Sequence, residues 1–247
     1  MTFAAFSLRS FAVAATFATV AASASALTLP TESLQANSVQ AFSEKALTQN
    51  KLLGIEVTPL GNATATATTG AYNLPVTSIS VNSSLKVTSG AAVGSALEIS
   101  RLNDDLVKVG ITLANFKINF ETHQVLADVT PFGGVTVPQQ AVYTFNEATP
   151  LNLKYNVAPI GGSTSTATFN EATPLNLKYK FPLTITGTQL LDKLFLTPAG
   201  IAALTSALEL PEFAPDLLVK TDFGTINIDV KVGTRKAVST TPYVPAN

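Results

Sequence analysis

The feature that most constrains this chain is a two-residue hydrophobic period. In "FGTINIDVKV", Ile226, Ile228, Val230 and Val232 alternate with Thr225, Asn227, Asp229 and Lys231. Successive side chains of a strand point to opposite faces, so the segment reads as a strand with one apolar and one wet side. "NFKINFETHQVLADVT" shows the pattern twice. Phe116, Ile118 and Phe120 share a face, and Val125, Ala127 and Val129 do the same after a turn at Thr122-His123. That pair reads as an antiparallel β-hairpin. The alternation predicts an all-β chain, an antiparallel β-sandwich-like domain.

Two segments depart from it. "NSVQAFSEKALTQN" sets Val39, Phe42, Ala46 and Leu47 on one helical stripe, with Asn37 and Gln40 at capping-box spacing. "LTPAGIAALTSALEL" offers Thr197 as a cap and Pro198 at the first helical position, where its missing N–H is no loss. Ile201, Leu204 and Leu208 follow at helical spacing, and Pro211 ends the run. Two short amphipathic helices are therefore expected, packed as lids on the sheet.

The first 26 residues stand apart. Arg9 precedes the apolar run "SFAVAATFATVAAS", and Ala24-Ser25-Ala26 supplies a small-x-small cleavage site, the order of a secretory signal peptide. The run is shorter than the roughly 20 apolar residues of a membrane span. Residues 27–232 read as a single β-rich domain, and 233–247, ending in "STTPYVPAN", as a disordered tail without periodicity. Loss of Arg9 with the signal leaves 14 basic against 16 acidic residues, a net charge of −2. No basic surface is available to neutralise phosphates, so no nucleic-acid partner is expected. Cysteine is absent. Small exported eukaryotic domains usually rely on disulfides, so an exported chain without them points to a bacterial envelope: periplasm, cell surface or medium.

The stretch "TFNEATPLNLKY" occurs at Thr144–Tyr155 and again, letter for letter, at Thr168–Tyr179. A solenoid needs three or more repeats, and here there are two without divergence. It reads as a recent tandem duplication of 24 residues, with one copy a strand of the fold and the other an added arm or edge strand. Identical strands can compete for one slot, which invites self-association by strand exchange.

Little catalytic chemistry is on offer. Thiol chemistry is excluded, and His123 as sole histidine excludes multi-histidine zinc sites. His123 reads as a solvated turn residue. Ser83-Ser84-Leu85-Lys86 matches an S-x-x-K pattern by chance, in a strand-like context without companion motifs. Asp104-Asp105 in "RLNDDL" reads as a solvated turn rather than a calcium loop. No enzyme, no metal site and no catalytic residue is expected. The five tyrosines are the side chains suited to bind ferric iron as phenolate; Tyr72, Tyr143, Tyr155 and Tyr179 lie in strand-like segments, where the ordinary reading is core or interface packing, and Tyr243 lies in the tail.

"GSALEISR" with "VKVGITLANFKINFETHQVLADVT" is similar to the central part of HtaA-like domains, exported bacterial modules associated with haem uptake. "LFLTPAGIAALTSALELPEFAPDLLVKTDFGTINIDV" resembles the C-terminal half of many exported relatives. With "LLGIEVTPLGNATATA" and "YNLPVTSISV", the likeness spans most of Leu27–Val232. It implies an exported β-rich fold with two short helices. Haem-binding members are expected to pair a tyrosine ligand with a histidine on another strand; no histidine stands near Gly94–Arg101. The expected function is therefore an exported, non-enzymatic protein with a surface, matrix or binding role and an envelope or extracellular partner. A haem- or iron-binding module is the alternative. An outer-membrane β-barrel ranks third, since the chain ends in "VPAN" rather than an apolar aromatic and carries two helices.

Overall fold

A computed structural model describes residues 27–30, 34–82, 87–157, 165–168, 183–232 and 238–246. In chain order the strands begin with β1 (Leu27–Pro30), β2 (Leu34–Phe42), β3 (Glu56–Gly61), β4 (Thr64–Ala65), β5 (Ala71–Pro75) and β6 (Ser78–Val81). They continue with β7 (Val87–Leu102), β8 (Lys108–Asn119), β9 (Gln124–Pro131), β10 (Val137–Val157), β11 (Ser165–Thr168), β12 (Leu183–Leu196) and β13 (Gly224–Val232). Among the described residues three helices are interspersed: α1 (Glu44–Leu52), α2 (Pro198–Ala207) and α3 (Ala214–Val219). Residues 1–26, expected to be a signal peptide, Ser83–Lys86 and most of the second repeat copy lie outside the described residues.

All pairings are antiparallel, and the sheet runs β1-β6-β7-β8-β9-β10-β12-β13-β2-β5-β4. The predicted hairpin is β8–β9, and "FGTINIDVKV" is β13, as the alternation required. Two residues then almost close the sheet on itself. β5 pairs with β2, β6 pairs with β7, and only Val76 and Thr77 separate β5 from β6. Val76 N–H donates to Ala36 O at 3.0 Å on the β2 side, while Thr77 N–H donates to Ala91 O at 2.6 Å on the β7 side. The bent strand β5–β6 thus serves both ends of the sheet. With β7, β8, β9, β10, β12, β13 and β2 it makes a nearly closed ring of eight antiparallel strands. The sandwich-like all-β architecture is realised as a curled, barrel-like sheet, the closure that removes exposed edges.

The interior is where the alternation points. Ile226, Ile228 and Val230 of β13 and Phe116 and Ile118 of β8 are all buried in one core. Asn227, Asp229 and Lys231 face out and are exposed, the reverse of the lipid-facing apolar band of a membrane barrel. Among the described residues no helix is long and apolar enough to cross a membrane.

The helices gather at one end, because α1 follows β2 and both α2 and α3 lie between β12 and β13. Thr197 caps α2 as expected: its Oγ1 accepts from Gly200 N–H at 3.0 Å and donates to Ala141 O at 2.6 Å. Two expectations are corrected. The first helix starts at Glu44 with Ser43 as its cap, not near Asn37; Val39 and Phe42 belong to β2, which is paired on both sides. A third helix, α3, follows the turn at Pro211. The tail is corrected too. Residues 238–246 lie against the sheet, with Ser239 O accepting from Asn62 Nδ2 at 2.8 Å and Tyr243 bonded to Asn115.

The first repeat copy is barrel strand β10, pairing through Thr144–Tyr155 with β12. Thr168, which opens the second copy, ends β11 opposite Lys154.

Candidate functional site

The strands leave a cavity of about 40 Å³ inside the ring. Its lining is apolar, with contributions from seven of the eight ring strands, and among the described residues three polar ones border it: Ser38, Gln40 and Gln189. Each sits on an inward position of a strand whose neighbours are buried, Ser38 and Gln40 on β2 and Gln189 on β12. Ser38 is satisfied, its Oγ donating to Leu74 O at 2.8 Å.

The two glutamines are not. Gln189 is 3% exposed and donates from Nε2 to Glu147 Oε2 at 3.4 Å, but its Oε1 has no partner. Gln40 is 2% exposed, and its Nε2 has no partner. Its amide lies beside the Tyr143 phenol, without the geometry that would satisfy that nitrogen. Buried polar groups are nearly always bonded, and one left unbonded costs about 1–3 kcal/mol. Both atoms are closed off from the cavity, whose wall is apolar, and are buried in the packing around it.

A polar and aromatic chain leads from Gln189 to the surface. Glu147 Oε1 lies 3.5 Å from His123 Nε2. The His123 ring lies 5.6 Å from that of Phe145, which meets Phe120 edge-on at 6.0 Å, and Phe120 lines the cavity. His123 occupies the β8–β9 turn, as expected, with a positive φ of 53° and an exposed side chain.

Of the candidate haem ligands, Tyr72 and Tyr143 are described with their side chains. Burial raises the Tyr72 pKa, and its hydroxyl donates to Val57 O at 3.0 Å. Tyr143 is fully buried against Phe223; burial pushes its pKa up to about 12, with the Gln40 amide opposing slightly. Tyr155 is at the outer end of β10 opposite Ile185, and Tyr179 lies outside the described residues. Both described phenols are held neutral, neither lines the cavity, and a cavity of about 40 Å³ has no room for a porphyrin. The described side chains do not fit haem.

Asp104 and Asp105 lie in the exposed β7–β8 turn, ordered by Asn103 Oδ1, which accepts from Asp105 N–H at 3.1 Å and Val107 N–H at 2.9 Å. No group of three or more metal-ligating side chains is present among the described residues. The sequence reading passed over Gln40 and Gln189. Gln189 carried a signal, a long polar side chain in an otherwise alternating strand; Gln40 was hidden by the helical reading of its segment.

Fold and cavity together define a class, a curled antiparallel sheet with a small, mostly apolar interior. No family of known proteins, no curated protein and no solved structure matches this chain.

Proposed function

We propose that this chain is an exported, non-catalytic binding protein of a bacterial envelope that takes a small, neutral, mostly apolar molecule into its barrel. The observation that carries this reading is the interior itself. Eight-stranded barrels either fill their interior with side chains or hold one small ligand. Here about 40 Å³ is left open under an apolar lining, more than one water needs. Export is supported by the leader-like first 26 residues and by the resemblance to HtaA-like exported domains. A non-catalytic role is supported by the pairing of Glu147 with His123 at the rim, which leaves neither aimed into the cavity.

Xenon, a neutral probe of apolar cavities, tests the reading. Under xenon pressure, methyl resonances of Ile228, Val125 and Leu74 should shift together and saturate. Small unsaturating shifts spread over surface methyls would refute it. Export has its own check: N-terminal sequencing of the secreted product should begin at Leu27.

A further inference from the structure

We propose that the outer face of β7 and β8, with the Asn62 turn beside it, is a binding site for an extended peptide of the pattern Pro-x-x-Pro, and that the chain's own residues 238–246 are its built-in occupant. The proposal is independent of the interior cavity.

The site starts from two asparagines, each anchored in the sheet and reading the tail. Asn115 Oδ1 accepts from Gly94 N–H at 3.0 Å, and its Nδ2 donates to Asp128 Oδ2 at 2.8 Å. Asp128 is itself fixed, its Oδ1 accepting from Gln139 N–H at 2.9 Å and Gln139 Nε2 at 3.0 Å. Held in this way, the carboxamide offers the same two atoms to one residue of the tail. Oδ1 accepts from Tyr243 N–H at 2.8 Å and Nδ2 donates to Tyr243 O at 3.0 Å, the exchange of bonds a neighbouring strand would make. Asn62 repeats the arrangement, its Nδ2 donating to Val93 O at 3.0 Å in the sheet and to Ser239 O at 2.8 Å in the tail. Reading groups already ordered by the sheet lose little freedom when a peptide arrives.

The floor of the site suits a backbone. The β7–β8 ladder is interrupted between Ala92 and Ala96, and Gly94 stands in the gap with φ of 79°. A Cβ there would come within 3.0 Å of Thr241 O and 3.2 Å of Ser239 O, and one at Gly61 within 2.9 Å of the Tyr243 ring. Two glycines thus leave the room that the tail occupies.

The reading is of backbone shape. The bonds from Asn62 and Asn115 all go to main-chain atoms of the tail. Ser239, Thr240, Thr241, Pro242 and Val244 are exposed, while Tyr243 and Pro245 are half-buried. Pro242 and Pro245 bracket the residue that Asn115 holds. Proline fixes its own φ and lacks an N–H, so it favours an extended chain that needs no ladder of its own. A Pro-x-x-Pro segment read through its main chain is the ligand class this defines. A tail in the same chain has an effective concentration on the order of millimolar, so the identical tail of a second copy is outcompeted in dilute solution. The ligand in trans is a segment of a different protein, bound when it displaces the tail.

The experiment uses the full chain, with the peptide VSTTPYVPA (residues 238–246) as probe and amide NMR as readout. In Tyr243→Pro, which deletes the N–H that Asn115 accepts, the Gly94 amide resonance should move, and added peptide should restore it with one-to-one saturation. The unmodified chain should need roughly tenfold more peptide or beyond, and its own Tyr243 amide should shift as the tail leaves. A peptide N-methylated at the Tyr243 position should bind roughly tenfold more weakly to either chain. If the peptide saturates neither chain, or if the N-methylated peptide binds equally well, the tail is a structural strap and the proposal is overturned. If the unmodified chain dimerises on concentration with its Gly94 resonance unchanged, the ligand is a second copy's tail and the assignment to a different protein is overturned. Should Tyr243→Pro not fold, the two peptides on the unmodified chain decide alone.

Discussion

The Asn115 carboxamide holds four groups at once. Its Oδ1 accepts from Gly94 N–H at 3.0 Å and Tyr243 N–H at 2.8 Å; its Nδ2 donates to Asp128 Oδ2 at 2.8 Å and Tyr243 O at 3.0 Å. It sits at a bulge with φ of 54°, a left-handed conformation that asparagine tolerates better than most residues. Opposite lies Gly94 at φ of 79°, where a Cβ would come within 2.6 Å of Asn62 Nδ2 and 3.0 Å of Thr241 O. Asn115→Ala should therefore cost about 2–4 kcal/mol in urea unfolding, combining lost bonds with backbone strain. A cost below 1 kcal/mol would show that water replaces the amide. Tyr143 gives a pH dependence at the same scale. Its folded pKa of about 12 lies above the ordinary 10. The unfolded chain thus releases the proton first, and stability is whole below pH 10 and falls from there to about pH 12. The loss is about 2–3 kcal/mol, at 1.36 kcal/mol per unit. Tyr143→Phe should flatten the alkaline limb of a stability–pH curve; an unchanged limb would assign it elsewhere. Neither residue was legible in this role, because alternation says which face a side chain takes and nothing about a bulge or a tail docked across it.

At the scale of elements, local chemistry was readable where it acts alone. Thr197-Pro198 starts α2 because the cap and the fixed proline φ favour a helix whatever surrounds them. Thr197→Ala should cost about 1–2 kcal/mol, and Thr197→Ser should recover most of it, as read by thermal melts. β2 was misread because Val39 and Phe42 suit a helical stripe, and its inward Ser38 and Gln40 break the apolar alternation. What makes it a strand is pairing with β13 and β5, a tertiary preference that outweighs propensity. The duplicated segment has a direct test. Deleting Asn156–Tyr179 joins Tyr155 to Lys180 and leaves Lys180–Thr184 between the paired residues Tyr155 and Ile185. A five-residue hairpin loop is ordinary. The shortened chain should fold, with a melting temperature within a few degrees of the parent; insoluble product would mean that the second copy is needed. The copies differ in what precedes them: Val142 and Tyr143, both buried, come before the first, where Thr166 and Ala167 come before the second. Burial of those two side chains favours the first copy in the barrel slot.

At the scale of the molecule, the sequence pattern announced an all-β antiparallel chain but not its curvature. Sandwich and barrel use the same alternation, and the choice turns on Val76 and Thr77, which carry one strand from β2 to β7. The interior cavity was out of reach for the same reason, since it is made by strands far apart in sequence meeting across the ring. The docked tail also belongs to this scale, because it fastens the outside of β8 to the Asn62 turn. A chain ending at Ala237 should lose about 1–3 kcal/mol. Faster amide exchange should appear at Gly94, whose bonding partner Asn115 loses its clamp, while the helical end is unaffected. Equal exchange in the two chains would show that the tail is a passenger.

The pairing of β2 with β13, residue by residue from Leu34 opposite Val232 to Phe42 opposite Gly224, joins the first stave of the ring to the last. Such a distant pairing is slow to form, since nearly the whole chain must be gathered before it is rewarded. It also fixes a timetable. While Gly224–Val232 is still being made, β2 has no partner on that side, and the ring stays open. A protein built this way stays open until its last ring strand is complete, and only then locks.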